Sequence, residues 1–232
     1  MKPFERLAQA KSPDGTVIEL ARRDAEYVIL AAGGQLMSSR LHGSEESLAQ
    51  LGCRHLAGTA KPNPVVLIGG LGMGYTLRAA LDLLPARATV VVAELIPEIV
   101  DWNRGVLAHL AGDPLADPRV RVEVADVASL LAHKSQPKSQ FDAILLDVDN
   151  GPASFTDSRN DTLYSASGVT AAHNSLNPGG MLAVWSGDAG EDRGFVDRLR
   201  SAKFAVTIEH VRARANNKGA RHTIYLVQKS QS

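Results

Sequence analysis

The sequence predicts an α/β protein: a mostly parallel seven-stranded sheet that ends in an antiparallel hairpin, preceded by a small N-terminal β module. Three observations predict it. From Val65 onward, apolar strand-like runs alternate with helix-patterned segments, which implies parallel strands with helices packed on both faces. The run Val65-Val66-Leu67-Ile68 passes into Gly69-Gly70-Leu71-Gly72-Met73-Gly74, a buried strand entering a sharp turn before a helix. Finally, Asn and Gly residues between 214 and 221 separate two strand-like runs and mark a turn.

Each element follows from local pattern. Residues 16 to 39 run in β fashion (Thr16-Val17-Ile18-Glu19-Leu20, then Tyr27-Val28-Ile29-Leu30), giving a β-rich module over 1–60. Ser44-Glu45-Glu46-Ser47-Leu48 opens a short helix, with Ser44 as N-cap and acids in the first turn. Thr59 to Pro64 breaks the chain, and a nucleoside-binding domain occupies 61–232. Strands are expected at 65–69, 89–94, 119–124, 141–147, 180–186, 204–212 and 222–228. Helices are expected near 73–84, 97–111, 162–176 and 190–202. Pro97 suits a first helical turn, and Asn177-Pro178-Gly179-Gly180 should end the third helix of this set.

Composition narrows the function classes. The 232 residues are 44% hydrophobic, enough for a substantial core. Lys plus Arg equals Asp plus Glu at 25 each, so no global field draws nucleic acid or anionic lipid. No apolar run approaches the roughly eighteen residues needed to cross a membrane, and the N-terminus lacks a secretory apolar core. The expected compartment is cytoplasmic. The single cysteine, Cys53, excludes an intrachain disulfide and reads as a small buried side chain. Seven histidines form no close ligand pair, so no metal is expected. Arg212, Arg214, Lys218 and Arg221 lack interleaved aromatics and read as a solvated turn.

The glycine turn indicates a nucleotide site. A P-loop needs Lys and a hydroxyl residue after its last glycine, but Tyr75 and Thr76 follow Gly74. A dinucleotide fingerprint spaces its third glycine three positions from the second, whereas Gly70, Gly72 and Gly74 alternate. That spacing suits a nucleoside without a pyrophosphate. Ligands of open parallel sheets bind beyond the carboxyl ends of the strands, where Glu94, Asp126 and Asp147 fall. Glu94 can hold a ribose; Asp126 can accept from an adenine amine or cap a helix; Asp147 would face the reacting centre.

These residues carry a resemblance. The order Val65 to Thr76, Glu94, Asp126, Leu145-Leu146-Asp147-Val148-Asp149-Asn150-Gly151-Pro152, Leu163-Tyr164-Ser165 and Leu176 to Leu182 resembles the spermidine synthase (polyamine aminopropyltransferase) family over about residues 60–232. The resemblance implies a Rossmann-like class I methyltransferase fold with a β-rich N-terminal module. It also implies aminopropyl transfer from a sulfonium donor, S-adenosylmethionine or its decarboxylated form, to a small-molecule amine acceptor. By the same resemblance Glu94 would bind ribose, Asp126 with Val127 the adenine, and Gln35 the donor nucleoside. Asp147 would take the acceptor's proton, and a homodimer would form through the β module.

The pattern departs from that family at two places. Gly72 stands where the family has an aspartate for the aminopropyl ammonium, and Asn150 stands where it has a second catalytic carboxylate. Asp149 is the candidate to compensate, with a solvated loop acid as the other reading. A methyltransferase acting on a small molecule is the alternative, although Ile68 replaces the acid that many such enzymes carry at the end of the first strand. A catalytically silent nucleoside binder is the third reading. The polar stretch 151–162 is expected to close over the cleft, with Tyr164 either walling the acceptor or simply buried. Glu45 and Glu46 read as surface acids, lending charge to the site only if the N-terminal module leans over it.

Overall fold

The structure is a computed structural model that describes residues 2–58, 61–132, 140–148, 151–152, 162–214, 216 and 218–231. An antiparallel sheet β1–β4 (Glu5–Lys11, Val17–Arg23, Glu26–Ala31, Gly34–Ser38) comes first. The larger sheet contains β5 (Val65–Gly69), β6 (Thr89–Glu94), β7 (Val120–Val124), β8 (Phe141–Leu146), β9 (Leu176–Ser186), β10 (Val206–Arg212) and β11 (Arg221–Gln228). Its order is β10-β11-β9-β8-β5-β6-β7, with β5, β6, β7, β8 and β9 parallel and β11 antiparallel to both β9 and β10. This is the mostly parallel seven-stranded sheet with a terminal hairpin.

Helices α1 (Gly43–Cys53), α2 (Tyr75–Leu83), α3 (Pro97–Arg104), α4 (Val127–Ala132), α5 (Ala166–Ser175) and α6 (Arg193–Ser201) pack on it. Burial on both faces explains why the central strands lack alternation: every residue of β8 is buried. One apolar cluster joins Leu48, Val66, Ile68, Leu77, Val92 and Leu145 with Ile18, Leu20 and Ile29 of the small sheet. The other joins Leu67, Ile144, Leu146 and Leu182 with Val127, Val169 and Phe195. The small sheet thus shares its core with one face of the large one.

The chain leaves β5 towards β6 and β7 and then returns to β8 on the other side. The switch point therefore lies between β5 and β8, where open α/β sheets bind ligands. Parallel pairing of Gly69 with both Ala93 and Leu146 brings the carboxyl ends of three strands level there. Gly52 lets α1 lie close on the sheet, because a Cβ there would fall 2.2 Å from Leu145 Cδ2 and 3.1 Å from Ala183 Cβ.

Local details differ from the sequence expectation. Asn177-Pro178-Gly179-Gly180 follows the helix that ends at Ser175, but it already lies inside β9, held by Asn177 Nδ2 donating to Asp142 Oδ1 at 2.8 Å and Gly179 N–H donating to Lys229 O at 3.0 Å. The helix from Pro97 stops at Arg104 rather than 111, and two short 3₁₀ turns, Ala108–Ala111 and Pro114–Ala116, follow it. Ser44 does not cap α1; the helix begins at Gly43 with His42 in the cap position and no side-chain cap bond. Helix α4 was not anticipated, since six residues are too few to display a helical period.

Candidate active site

A cavity of about 310 Å³ opens at the switch point. The glycine turn forms part of its floor. Gly70, Gly72 and Gly74 all have left-handed φ, at +89°, +53° and +82°. A Cβ on Gly70 would fall 2.2 Å from Asp147 O, so only glycine lets the turn pass the end of β8. Asp147 N–H donates to Gly69 O at 2.8 Å, and Gly70 N–H donates to Ala93 O at 2.9 Å, which extends the sheet ladder into the site. Asn103, almost fully buried on α3, donates from Nδ2 to Gly72 O at 2.8 Å and to Ile99 O at 2.9 Å. The sequence pattern offered no sign of that brace.

Glu94 lines the cavity from the end of β6 and is buried. One carboxylate oxygen accepts Leu71 N–H at 2.9 Å and the other accepts Ile96 N–H at 2.9 Å. It therefore shapes the glycine turn as well as facing the ligand space. Asp126 also lines the cavity, and its carboxylate accepts Ala128 N–H and the Ser129 hydroxyl, each at 2.9 Å. Both features read from sequence, cap and cavity acid, coexist in this side chain. Val127 is buried beside it, with its methyl carbons 3.0 and 3.2 Å from where a Gly69 Cβ would stand.

The small sheet supplies the opposite wall. Ser12, Asp14 and Thr16 from the β1–β2 turn and Gln35, Leu36 and Met37 from β4 line the cavity. Met37 lies over Gly72, and its thioether is 3.2 Å from Met73 N. Gln35 thus reaches the cavity that also holds Glu94 and Asp126.

Asp147 follows the last residue of β8 and keeps a limited exposure to the cavity. Its Oδ2 accepts the Thr76 hydroxyl at 2.6 Å. Burial raises its pKa above the ordinary carboxylate range, against the Thr76 hydrogen bond, which lowers it. Glu45 is buried and lines the same cavity, contrary to its reading as a surface acid. Burial, and then the charge of Asp147, raise its pKa above the ordinary carboxylate range. Among the described residues neither carboxylate has an ion-pair partner.

One other expected site residue, Tyr164, lies apart from the cavity lining. Tyr164 is buried in the apolar cluster with its ring edge-on to Phe195 at 5.8 Å, and its hydroxyl lies 3.4 Å from Val148 O. It is not among the residues that line the cavity. Asp149, Asn150 and most of the 151–162 stretch lie outside the described residues. Glu46 bonds His42 Nδ1 at 2.7 Å and does not line the cavity. Among the described residues no group of three or more His, Cys, Asp or Glu side chains converges on a metal site, and no helix is long and apolar enough to cross a membrane.

Comparison with known proteins extends this picture. No family profile matches the chain. A polyamine aminopropyltransferase of Corynebacterium efficiens is 33% identical over 184 residues, covering 78% of this chain and 33% of that protein. One from Mycobacterium tuberculosis (strain CDC 1551 / Oshkosh) is 33% identical over 150 residues, covering 63% of this chain and 28% of that protein. The chain thus spans about a third of the length of the curated relatives it matches. The spermidine synthase of Thermotoga maritima superposes with a TM-score of 0.75 at 18% identity, covering 98% of this chain and 74% of the other. A spermidine synthase in complex with the transition-state analogue AdoDATO gives 0.73 at 18% identity, covering 98% and 73%. Human methyltransferase-like protein 13 in complex with SAH gives 0.54 at 17% identity, covering 81% and 80%. In sequence the chain is a relative of the polyamine aminopropyltransferases, and its fold is the class I methyltransferase-like fold of the spermidine synthases.

Proposed function

We propose that the chain transfers an aminopropyl group from a decarboxylated S-adenosylmethionine-type sulfonium to a small amine, with Asp147 accepting a proton from the amine. The observation that carries this reading is the position of Asp147. It follows the final residue of β8, beside the glycine turn, in a cavity that it shares with the carboxylates of Glu45, Glu94 and Asp126. Such a cavity suits cationic reactants. The sequence relatives named as polyamine aminopropyltransferases support the reading.

In this mechanism the nucleoside lies across the carboxyl ends of β5, β6 and β7. Glu94 holds the ribose hydroxyls, Asp126 and Val127 border the adenine, and Gln35 approaches the nucleoside from β4. The glycines let the backbone come close to the donor's sulfur end. An ammonium has no lone pair, so it first loses a proton to Asp147. The freed nitrogen attacks the methylene bound to sulfur; the C–N bond forms while the C–S electron pair goes to sulfur. The leaving group is a neutral thioether and needs no acid. Alignment of donor carbon and nitrogen supplies much of the acceleration, roughly 7–11 kcal/mol.

The test is calorimetric binding of S-adenosylmethionine, its decarboxylated form and methylthioadenosine, followed by product analysis with a panel of polyamines. Aminopropyl transfer requires tighter binding of the decarboxylated donor and release of methylthioadenosine. Release of S-adenosylhomocysteine would establish methyl transfer instead. Nucleoside binding without turnover, unchanged in Asp147→Asn, would establish a silent binder.

A further inference from the structure

We propose that Glu45 is a second acidic residue of this site, sharing one proton with Asp147, and that Ser44 and His222 form the path by which that proton leaves. The inference rests on the transfer chemistry proposed above. Its starting point is geometric. Helix α1 brings Glu45, buried, to the cavity lined by Asp147, although the two residues lie far apart in the chain. Thr76 on α2 ties the two regions: its hydroxyl donates to Asp147 Oδ2 at 2.6 Å and sits 3.4 Å from the Glu45 backbone oxygen.

A hydrogen-bonded chain then leads away from Glu45. Ser44 Oγ lies 2.5 Å from Glu45 Oε2 and 2.8 Å from His222 Nδ1 on β11. Ser44 is free for this role because it does not cap α1. His222 packs edge-on against Trp185, which itself lines the cavity, with ring centroids 4.9 Å apart. Unlike Ser44, which is wholly buried, His222 is only half-buried, so the chain runs from the cavity towards the surface.

Among the described residues no Lys or Arg forms an ion pair with Glu45. Asp147 faces it from the end of β8 and Glu46 flanks it on α1. Tyr75 on α2 feels both glutamates, and His42, stacked on Tyr75 at 4.0 Å, is engaged by Glu46. His222 approaches through Ser44, and burial holds it below the ordinary histidine range, so an imidazolium formed there gives up its proton readily. Two carboxylates in one shielded space do not both ionise without a cation, so the pair keeps a proton until an ammonium enters. With the cation present the proton leaves, and the dianionic pair is a stronger base than an isolated carboxylate.

The proton balance closes. The ammonium N–H bond breaks and a carboxyl O–H bond forms within the pair. The carboxyl proton passes to Ser44 as the Ser44 proton passes to His222 Nδ1. The carboxylate is restored, and the imidazolium releases one proton to water.

The experiment combines ¹³C-carboxyl NMR titration of the full chain with pH-rate profiles. In the wild type one carboxyl should titrate above the ordinary range. In Asp147→Asn, which leaves α1 untouched, the Glu45 resonance should titrate at least about one pH unit lower, as expected for coupled carboxylates. Glu45→Gln should displace the basic-side or acidic-side limb of the pH-rate profile, and Ser44→Ala and His222→Gln should each lower kcat roughly 10- to 100-fold with acceptor KM little changed. An unmoved Glu45 titration in Asp147→Asn overturns the shared proton. Unchanged kcat in both Ser44→Ala and His222→Gln overturns the exit path. The NMR arm needs no turnover, so carboxylate coupling without methylthioadenosine release would sink the transfer reading and leave the shared proton standing.

Discussion

Met37 occupies the space that a side chain at Gly72 would need: its Sδ lies 2.9 Å from where a Gly72 Cβ would project. The missing aspartate at this position is therefore more than a change of residue type. Met37, on β4, has moved apolar volume into the place of a charge. Gly72→Asp alone should lower stability, by about 1–2 kcal/mol for the left-handed backbone plus the displacement of Met37. Adding Met37→Ala should recover part of that loss and raise affinity for the decarboxylated donor above that of Gly72→Asp. Thermal unfolding and calorimetry of the three variants check both expectations.

Glu94 serves turn and ligand together. Glu94→Ala would leave Leu71 N–H and Ile96 N–H unpaired in a buried region, at roughly 1–3 kcal/mol each. Nucleoside affinity should fall as well. Denaturant unfolding should show the stability loss in the absence of ligand, which a residue that only touched ribose would not produce.

Asp147 should cost the fold stability in return for its chemistry. Its folded pKa is raised by burial, so folding favours the protonated form. The penalty is absent below the ordinary carboxylate pKa near 4, grows as pH rises towards the raised folded value, and is constant above it. Asp147→Asn should therefore be more stable than wild type near neutral pH, on the order of 1–3 kcal/mol, and equal to it in acid. Turnover should fall at least about a hundredfold. Melting curves across pH, beside rate measurements, check the pair of outcomes.

Asp142 provides the contrasting acid. It is buried at the opposite end of β8, where it accepts from Lys61, from Val65 N–H at 2.8 Å and from Asn177 Nδ2 at 2.8 Å. Asp142→Ala should destabilise by roughly 1–3 kcal/mol, and the rate per folded molecule should be unchanged. A denaturation midpoint and a rate normalised to folded protein separate the two effects.

The sequence disclosed the parts of this architecture that are written locally. Strands 65–69 and 89–94 were legible to the residue because apolar runs end at Gly69 and Glu94. The turn glycines and strand-end acids declared themselves through spacing, and the cavity contains Gly70, Gly72, Glu94, Asp126 and Asp147 together. What escaped was set by packing. Asn103 reaches Gly72 from a helix thirty-one positions away. Met37 reaches it from a separate sheet, and Glu45 looked like any first-turn acid until α1 settled on β8 and β9. The burial of Tyr164 against Phe195 was likewise set by packing rather than written in the local pattern.

The two walls of the cavity come from different sheets, with Asp14, Gln35 and Met37 on one side and Glu94, Asp126 and Asp147 on the other. A molecule lodged between them acts as mortar. Its binding free energy is available only when both walls stand, so occupancy penalises any state in which the small sheet alone has melted. Saturating nucleoside should therefore protect backbone amides of β1–β4 from hydrogen exchange as strongly as those of β5 and β6. Donor binding and the cooperativity of the chain would then be two readings of one equilibrium.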